Sequence, residues 1–188
     1  ALGAGEADVV FTSGATEANQ MAISGLQSPG DPQATLYYSA RDHAATTAGA
    51  KQLAASGRRV IELPLNAQSL LNCQSLREAD TGVLSTTLAC SQTGTLDEVA
   101  TLAAAFPQLL VHVDAVQAVG RVPVSLGRLS ATSIALAAHK LGGPRGIGGL
   151  LIRGHTQIQP LLPGSQERGL RGGTESVALA CGFAVAVE

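Results

Sequence analysis

Short apolar runs alternate along this chain with segments that have a helical pattern. The seven candidate strands span 8–12, 35–39, 59–63, 83–88, 109–113, 132–137 and 149–153. The four candidate helices span 16–27, 43–55, 96–106 and 174–187. Continuously apolar strands separated by helices are typical of a parallel sheet that is covered on both faces. The pattern therefore predicts an α/β fold, a three-layer α/β/α sandwich around a mainly parallel seven-stranded sheet.

The composition of the chain indicates a single folded domain. Its 188 residues and 19.0 kDa fit one domain of ordinary size. Hydrophobic residues make up 45% and charged residues 14%, which excludes a disordered chain. A formal net charge of −2 and an aromatic content of 3%, without tryptophan, argue against a nucleic-acid-binding surface. We therefore expect a sizeable core and no nucleic-acid partner.

No pattern in the sequence indicates a membrane or an oxidising compartment. No apolar run reaches the ~18 residues that would span a bilayer, so we expect no membrane partner. Residues 1–6 lack the basic and apolar segments of a secretory signal. Cys73, Cys90 and Cys181 are too widely spaced for a disulfide framework or a paired-cysteine metal site. We therefore expect a cytoplasmic protein without a bound metal.

Polar and ionisable residues follow most of the candidate strands. In open α/β sheets, ligands bind beyond the carboxyl ends of the strands. The segments that come directly after five of these strands are 13–17, 41–43, 90–94, 114–117 and 139–140. They carry serine, threonine, histidine, aspartate, glutamine and lysine side chains. The sequence therefore predicts a functional site at this edge of the sheet.

Two of these segments suit a ligand that carries a phosphate and a ring. The segment 13–16 joins a strand to a helix, and a helix start presents free N–H groups to an anion. The alternative is an ordinary N-cap formed by Ser13 or Thr16. Asp114 ends a buried apolar run, where a carboxylate needs a partner such as a protonated ring nitrogen, unless it is itself a helix N-cap. Gln117, three residues on, is expected on the same side of the following turn.

Lys140 is the most informative single residue. The chain has two lysines, and Lys51 lies in a helical surface stretch, whereas Lys140 lies in an apolar, glycine-rich segment. A Schiff-base lysine needs a partly neutral amine, which burial and cationic neighbours promote. The alternative for Lys140 is a surface lysine that packs its methylene chain along the protein.

The histidines complete the set of candidate groups. His43 begins a helical segment, where its ring can stack on a planar cofactor or move protons, although a lone histidine is more often structural. His112, within a strand, and His155, in a polar loop, are predicted to be structural. A phosphate site, an aspartate, a histidine and a lysine at strand ends together match the requirements of pyridoxal 5′-phosphate (PLP).

Four segments of the chain resemble the cysteine desulfurases of the class V aminotransferase family. They are Phe-Thr-Ser-Gly-Ala-Thr-Glu-Ala-Asn (11–19), His-Val-Asp-Ala-Val-Gln-Ala-Val-Gly (112–120), Ala-His-Lys-Leu-Gly-Gly-Pro-Arg-Gly-Ile-Gly (138–148) and Gln-Glu-Arg-Gly-Leu-Arg-Gly-Gly-Thr-Glu-Ser (166–176). The resemblance implies that residues 1–188 form the PLP-binding large domain of the PLP-dependent transferase fold. It also implies that the N-terminal arm and the C-terminal small domain of the family lie outside this chain.

The resemblance assigns a role to each candidate residue. Lys140 forms the Schiff base with PLP, and His43 stacks over the ring and moves protons. Asp114 pairs with the ring nitrogen, and Gln117 contacts the ring hydroxyl. The other implied cofactor contacts are Ala15, Thr16 and His139 to the phosphate, Ser91 near the ring, and Thr174 to the phosphate of the partner subunit's cofactor in a homodimer.

The chain departs from the family pattern at two cofactor-proximal positions. Ser91 stands where the family usually has asparagine near the ring and the substrate carboxylate. Ala137 stands where the family often has a phosphate-binding serine. Both changes are expected to affect cofactor affinity.

Two groups that the family uses for catalysis are expected outside residues 1–188. These are the sulfur-accepting cysteine and the arginine that binds the substrate carboxylate. Arg168 and Arg171 are the candidates for a partial substitute for that arginine. Cys181 is predicted to be a buried small hydrophobe in its helix, which leaves Cys90, at a strand end, as the one credible substitute nucleophile. The chain alone is therefore expected to be inactive.

The activity that the resemblance implies is the conversion of L-cysteine to L-alanine, with sulfur transfer to an enzyme cysteine. Such an enzyme serves sulfur metabolism and iron–sulfur cluster biogenesis, with a sulfur-acceptor or scaffold protein as a further partner. Two alternatives stay open. One is another class V lyase or transferase, such as a selenocysteine or cysteine lyase. The other is a non-catalytic scaffold domain that retains the PLP fold.

Overall fold

The computed structural model of the protein describes residues 7–28, 31 and 34–188. The expectation for residues 1–6, namely that they hold no secretory signal, lies outside the described residues. The four α-helices are Ala15–Gly25 (α1), Ala44–Ala55 (α2), Val99–Ala105 (α3) and Val177–Val187 (α4). The seven strands are Ala7–Thr12 (β1), Leu36–Ser39 (β2), Val60–Leu63 (β3), Gly82–Thr87 (β4), Leu109–Asp114 (β5), Ser133–Ala137 (β6) and Gly148–Arg153 (β7).

Every predicted element is present, and the largest shifts are at the starts of α3 and α4. Helix α3 was expected to begin at 96 but begins at Val99. The preceding backbone is engaged elsewhere, because Asp97 N–H donates to the carbonyl of Leu88 and Leu96 forms a β-bridge with Ala89. Among the described residues, no helix has the length and apolar character needed to cross a membrane.

The strands form one sheet in the order β1-β7-β6-β5-β4-β2-β3. Strand β7 runs antiparallel to both of its neighbours, β1 and β6, and the other pairs are parallel. The prediction of a mainly parallel seven-stranded sheet is therefore confirmed. Because β7 is reversed, its amino end meets the carboxyl ends of the other strands at the same edge of the sheet.

Successive residues of the central strands pack into different cores. In β6, Ile134 and Leu136 belong to a cluster that includes residues of α3 and α4. Ala135, between them, belongs to a cluster formed with α1 and α2. Side chains alternate between the two faces of a strand, so both faces of this sheet are covered by helices. This is the predicted three-layer α/β/α sandwich.

Helix α4 shows where burial was predicted wrongly. Its eleven residues are apolar or small, yet only Phe183 is buried. Phe183 packs in the cluster under α3 and α4, whereas Cys181 is exposed. A helix that docks on a sheet through one stripe leaves its opposite face uncovered, whatever the composition of that face. Cys181 lies on the uncovered face.

The start of β7 makes a close backbone contact with the turn between β1 and α1. A Cβ atom on Gly148 would lie 2.7 Å from both Gly14 Cα and the carbonyl oxygen of Leu136. Backbone atoms cannot move aside as a flexible side chain can. The glycine at 148 therefore allows the β1–α1 turn to rest against the sheet.

We expect Gly148→Ala to lower the free energy of unfolding by about 1–3 kcal/mol or more, because it overpacks this contact. Urea denaturation measures the change. The matched control is Gly149→Ala, where a Cβ would make ordinary contacts of 3.6 Å with Phe183 Cε1 and 3.8 Å with Val10 O. Equal losses in the two variants would contradict the prediction.

Candidate active site

A cavity of about 1090 Å³ opens at the edge where the strand ends meet. Segments that follow β1, β2, β4, β5 and β6 contribute to its lining. The sequence-predicted site residues that line it are Ala15, Thr16, His43, Ser91, Asp114, Gln117, His139 and Lys140. Thr174 is exposed and does not line this cavity. The structure thus brings together all the residues that were predicted to contact a cofactor within one subunit.

The amino end of α1 presents unpaired amides to the cavity. Gly14 is the N-cap, and no side chain caps the helix. The amides of Ala15 and Thr16 have no hydrogen-bond acceptor within the described part of the chain. The alternative of a side-chain cap by Ser13 or Thr16 is therefore wrong. A Cβ at Gly14 would meet nothing within 4 Å, so there is open space for an anion at this helix start.

Glu17 and Arg171 form an ion pair that fixes the first turn of α1. Arg171 Nε donates to Glu17 Oε1 at 2.8 Å, and Ser13 N–H donates to Glu17 Oε2 at 2.7 Å. Burial alone would raise the pKa of Glu17, but the hydrogen bonds from Arg171 and Ser13 outweigh it and lower that pKa. The carboxylate beside the anion site is thus neutralised by a cation.

The same segment contains both arginines that were considered as partial substitutes for a substrate-binding arginine. Arg171 is paired with Glu17, and Arg168 Nη2 donates to the carbonyl of Val9 at 3.1 Å. Neither side chain lines the cavity. The expectation that one of them substitutes for a substrate-binding arginine is therefore not met in this structure, because both hold the β1–α1 region in place.

Asp114 is the last residue of β5 and is only 7% exposed. Its Oδ1 accepts a hydrogen bond from Val116 N–H at 3.0 Å, and its Oδ2 accepts one from Asn19 Nδ2 at 2.7 Å. Burial raises the pKa of Asp114, although these two hydrogen bonds and the nearby His43 oppose the rise. A cationic partner in the cavity would strengthen its ionised form further.

His43 is the N-cap of α2, and its Nδ1 accepts a hydrogen bond from Ala45 N–H at 3.2 Å. An accepting Nδ1 carries no proton, so Nε2 is the protonated nitrogen of the neutral ring. The imidazole is exposed and lines the cavity. The helix cap therefore fixes both the tautomer and the position of this ring.

Lys140 and His139 lie in a 3-10 turn, Ala138–Lys140, that follows β6. Both side chains are exposed and line the cavity. Lys140 is exposed because the apolar residues around it in sequence belong to the end of β6, while the turn itself lies at the open edge. Lys51 is exposed on α2, as predicted.

Asp42 is a buried carboxylate on the cavity wall, 7% exposed, that was not singled out from the sequence. Its two oxygens accept hydrogen bonds from Ser85 Oγ at 2.9 Å and Thr87 Oγ1 at 3.0 Å. Burial raises the pKa of Asp42 to about 7, and the charge of Asp114 adds to the rise. Its position directly before His43, at the end of a strand, was the signal that could have identified it.

We expect the stability of the fold to depend on the proton of Asp42. Between its ordinary pKa of 3.8 and about 7, the folded state keeps this proton and the unfolded chain loses it. The free energy of unfolding therefore falls as pH rises through that window, by at most roughly 1.4 kcal/mol for each pH unit. Asp42→Asn removes this dependence.

Urea unfolding of both proteins from about pH 4 to about pH 8 measures the effect. The wild-type value minus the Asp42→Asn value is expected to decline across the window and to level off above it. Thr87→Val, which removes a hydroxyl that stabilises the ionised form, is expected to extend the decline to higher pH. A difference that rises with pH would contradict the assignment.

Cys90 is the cysteine that lines the cavity. It is buried, and burial raises the pKa of its thiol, but hydrogen bonds from Thr93 and the Gln92 amide and the charge of Arg41 lower it overall. Arg41 Nη2 in turn pairs with Asp97 Oδ1 at 2.7 Å. The buried Arg41–Asp97 pair was not predicted, because the two residues lie far apart in sequence.

Known proteins are similar to this chain in sequence. The model of the Aminotransferase class-V family matches residues 1–188. The chain is 38% identical over 94% of its length to cysteine desulfurase 2 of Trichormus variabilis, and 37% identical over 97% to cysteine desulfurase NifS of Azotobacter vinelandii. These alignments cover 46% and 47% of the two relatives. The chain thus spans about half the length of the curated relatives it matches.

Solved structures share the fold. A NifS-like protein superposes with a TM-score of 0.87 at 32% identity, over 96% of this chain and 52% of its own. A structure described as SspA in complex with cysteine superposes with a TM-score of 0.86 at 30% identity, over 96% of this chain and 55% of its own. With a family model that matches the whole sequence, the chain belongs to the class-V aminotransferase family.

Proposed function

We propose that this chain is the PLP-binding part of a cysteine desulfurase, an enzyme that converts L-cysteine to L-alanine. Relatives named cysteine desulfurase, at 38% and 37% identity, support the activity. In this reaction the carbon–sulfur bond of cysteine breaks and the sulfur joins an enzyme thiol as a persulfide. The thiol proton supplies the hydrogen that completes the alanine methyl group.

The cavity residues fit PLP. The cavity volume of about 1090 Å³ exceeds what a single-ring cofactor needs. The free amides of Ala15 and Thr16 suit its phosphate, and His139 and Ser91 line the same cavity. The observation that carries the proposal is Asp114, a carboxylate that is 7% exposed on the cavity wall. Its observed donors are neutral amide groups, so a protonated ring nitrogen would supply the missing cation.

Each residue then has a task that its position allows. Lys140 would hold the cofactor aldehyde through Nζ until the substrate amine displaces it, and its freed amine would then take the proton from the substrate Cα. The imidazole of His43 would stack on the ring, Asp114 would hold the proton on the ring nitrogen, and Gln117 would contact the ring hydroxyl. When bound, PLP supplies an electron sink for the negative charge that develops at Cα.

Assembly belongs to the same proposal. In a homodimer, the exposed Thr174 would contact the phosphate of the partner subunit's cofactor. A sulfur acceptor or scaffold protein would take the persulfide sulfur towards iron–sulfur cluster biogenesis, and two curated relatives carry the names NifS and IscS. The cytoplasmic location and the assignment of residues 1–188 as one large domain stay predictions.

PLP titration of the purified chain tests the cofactor. A saturable visible absorption band that L-cysteine perturbs, and that L-alanine perturbs less, would support the proposal. Failure to bind PLP would overturn it and favour the scaffold alternative.

Turnover is tested on the protein as purified from its natural host, with L-cysteine and a thiol reductant. Alanine and sulfide in equal amounts support cysteine desulfurization. Release of alanine from L-selenocysteine but not from L-cysteine would overturn that substrate assignment in favour of a selenocysteine lyase.

A further inference from the structure

Four buried polar side chains form one continuous line beneath α1. Ser133 Oγ lies 2.8 Å from His112 Nδ1, and His112 Nε2 lies 2.9 Å from Asn19 Oδ1. Asn19 Nδ2 lies 2.7 Å from Asp114 Oδ2, at the cavity wall. Ser133 and His112 are fully buried, and Asn19 is 1% exposed. Buried polar groups that are all hydrogen-bonded to one another, away from water, are held in a single arrangement.

The chemistry of the groups determines the direction of every hydrogen bond in this line. An ionised carboxylate only accepts, so Asn19 must turn its amide nitrogen to Asp114. Its carbonyl oxygen then faces His112 and requires Nε2 to carry a proton. Burial lowers the pKa of His112 to about 3, so the ring is neutral and Nδ1 accepts from the Ser133 hydroxyl.

The register of β5 and β6 places three of these four side chains next to one another on the α1 face of the sheet. His112 and Asp114 are two residues apart in β5, so both side chains point to the α1 face. Ser133 is the register partner of His112 on β6. Asn19, on α1, bridges the two β5 side chains from above. The line therefore joins β6 to β5 once and β5 to α1 twice, and the amide of Asn19 has no freedom to rotate while the His112 bond persists.

We propose that His112 is a positioning residue: by donating to Asn19 Oδ1, it locks the Asn19 amide so that Asp114 stays ionised and keeps one side free for a cationic ligand group. Without that donor, Asn19 can rotate and present its oxygen to the carboxylate. The identification of the cationic group as the PLP ring nitrogen rests on the proposed function. The effect on Asp114 itself does not.

Other charged groups near Asp114 also affect its pKa, and they determine the direction in which that pKa is expected to change. The nearby His43 opposes the burial effect on its pKa, and Asp42 is a like charge whose own pKa Asp114 raises. Lys140 and His139 line the same cavity. On the α1 side, Asn19 is the group that lowers the pKa of Asp114. Loss of the hydrogen bond from His112 to Asn19 is therefore expected to raise the pKa of Asp114 further.

The test follows Asp114 in the chain without cofactor, by ¹³C NMR titration of aspartate carboxyl groups. The Asp114 signal is the one missing from Asp114→Asn. His112→Phe keeps a ring of similar size and removes both hydrogen bonds, and it is expected to raise the Asp114 pKa by about one unit. His112→Gln keeps a donor directed at Asn19, so the pKa of Asp114 in this variant is expected to stay close to its wild-type value.

Two further variants separate positioning from loss of packing. Val111→Ala truncates a buried β5 side chain on the opposite face and is expected to lower stability without moving the Asp114 titration. In an Asn19→Leu background, His112→Phe is expected to add no further shift, because the group through which it acts is gone. If His112→Phe alone proves too unstable to titrate, Asn19→Leu carries the test, because it removes the donor to Asp114 directly and is expected to raise the pKa of Asp114.

In PLP-loaded protein, the ¹⁵N chemical shift of labelled PLP reports whether the ring nitrogen is protonated, and His112→Phe is expected to lower the protonated fraction. An Asp114 titration that is unchanged in folded His112→Phe, or shifted equally by Val111→Ala, would overturn the inference. Absence of PLP binding together with the expected Asp114 shift would overturn the proposed function and leave the positioning role supported.

Discussion

Lys140→Ala is expected to abolish covalent attachment of PLP to this chain. After borohydride reduction and proteolysis, the wild-type chain should yield a pyridoxyl-modified peptide that contains Lys140, and the variant should yield none. The reason is geometric, because Lys140 lies in the turn at the end of β6 and lines the cavity. Mass spectrometry of the peptides measures the loss, which is expected to be complete.

The chain provides its own control for this experiment. Lys51 is the other lysine, and it is exposed on α2 away from the cavity. Lys51→Ala is expected to retain full modification at Lys140. Modification that maps to Lys51, or that persists in Lys140→Ala, would contradict the assignment of the anchor.

Asp114→Asn is expected to lower turnover of L-cysteine by several powers of ten in the protein as it occurs in its host. The substitution is nearly isosteric but removes the charge that holds a proton on the ring nitrogen. Each tenfold loss corresponds to roughly 1.4 kcal/mol of activation free energy. Steady-state alanine production measures the change, and thermal unfolding shows whether the variant is folded.

A carboxylate outside the cavity provides the matched control. Asp80→Asn makes the same chemical change at a half-buried residue that does not line the cavity. Its turnover is expected to stay close to that of the wild type. If Asp114→Asn matched this control, Asp114 would have no role in the chemistry.

The strands and the strand-end segments could be predicted because they depend on local patterns. Apolar runs define the strands. The residue after each run lies at the edge of the sheet because the strand ends there. Asp114 was placed correctly for this reason. His112 was predicted to be structural and is fully buried in β5. Its spacing from Asp114 already indicated a shared face of the strand, but the partner on α1 was out of reach of such reasoning.

The contacts that could not be predicted join residues far apart in sequence. Glu17 meets Arg171 across 154 positions, and Asn19 meets Asp114 across 95. Nothing in the local sequence distinguishes an asparagine on the buried side of a helix from one that merely caps a turn. The exposure of Cys181 was missed for a related reason, since an apolar helix reveals its composition but not which of its faces is covered.

The reversed direction of β7 has a consequence for the lysine. Residues 138–147 leave the sheet at the end of β6 and return to it at the same edge, and the residues on either side, Ala137 and Gly148, are register partners. The segment that carries Lys140 is thus the loop of a wide hairpin, fastened to the sheet at both ends. A loop at the end of a βα unit is fastened at one end and follows the motions of its helix. Here both ends of the segment are fixed by adjacent strands of the same sheet, so the backbone that carries Lys140 is not joined to a helix at either end.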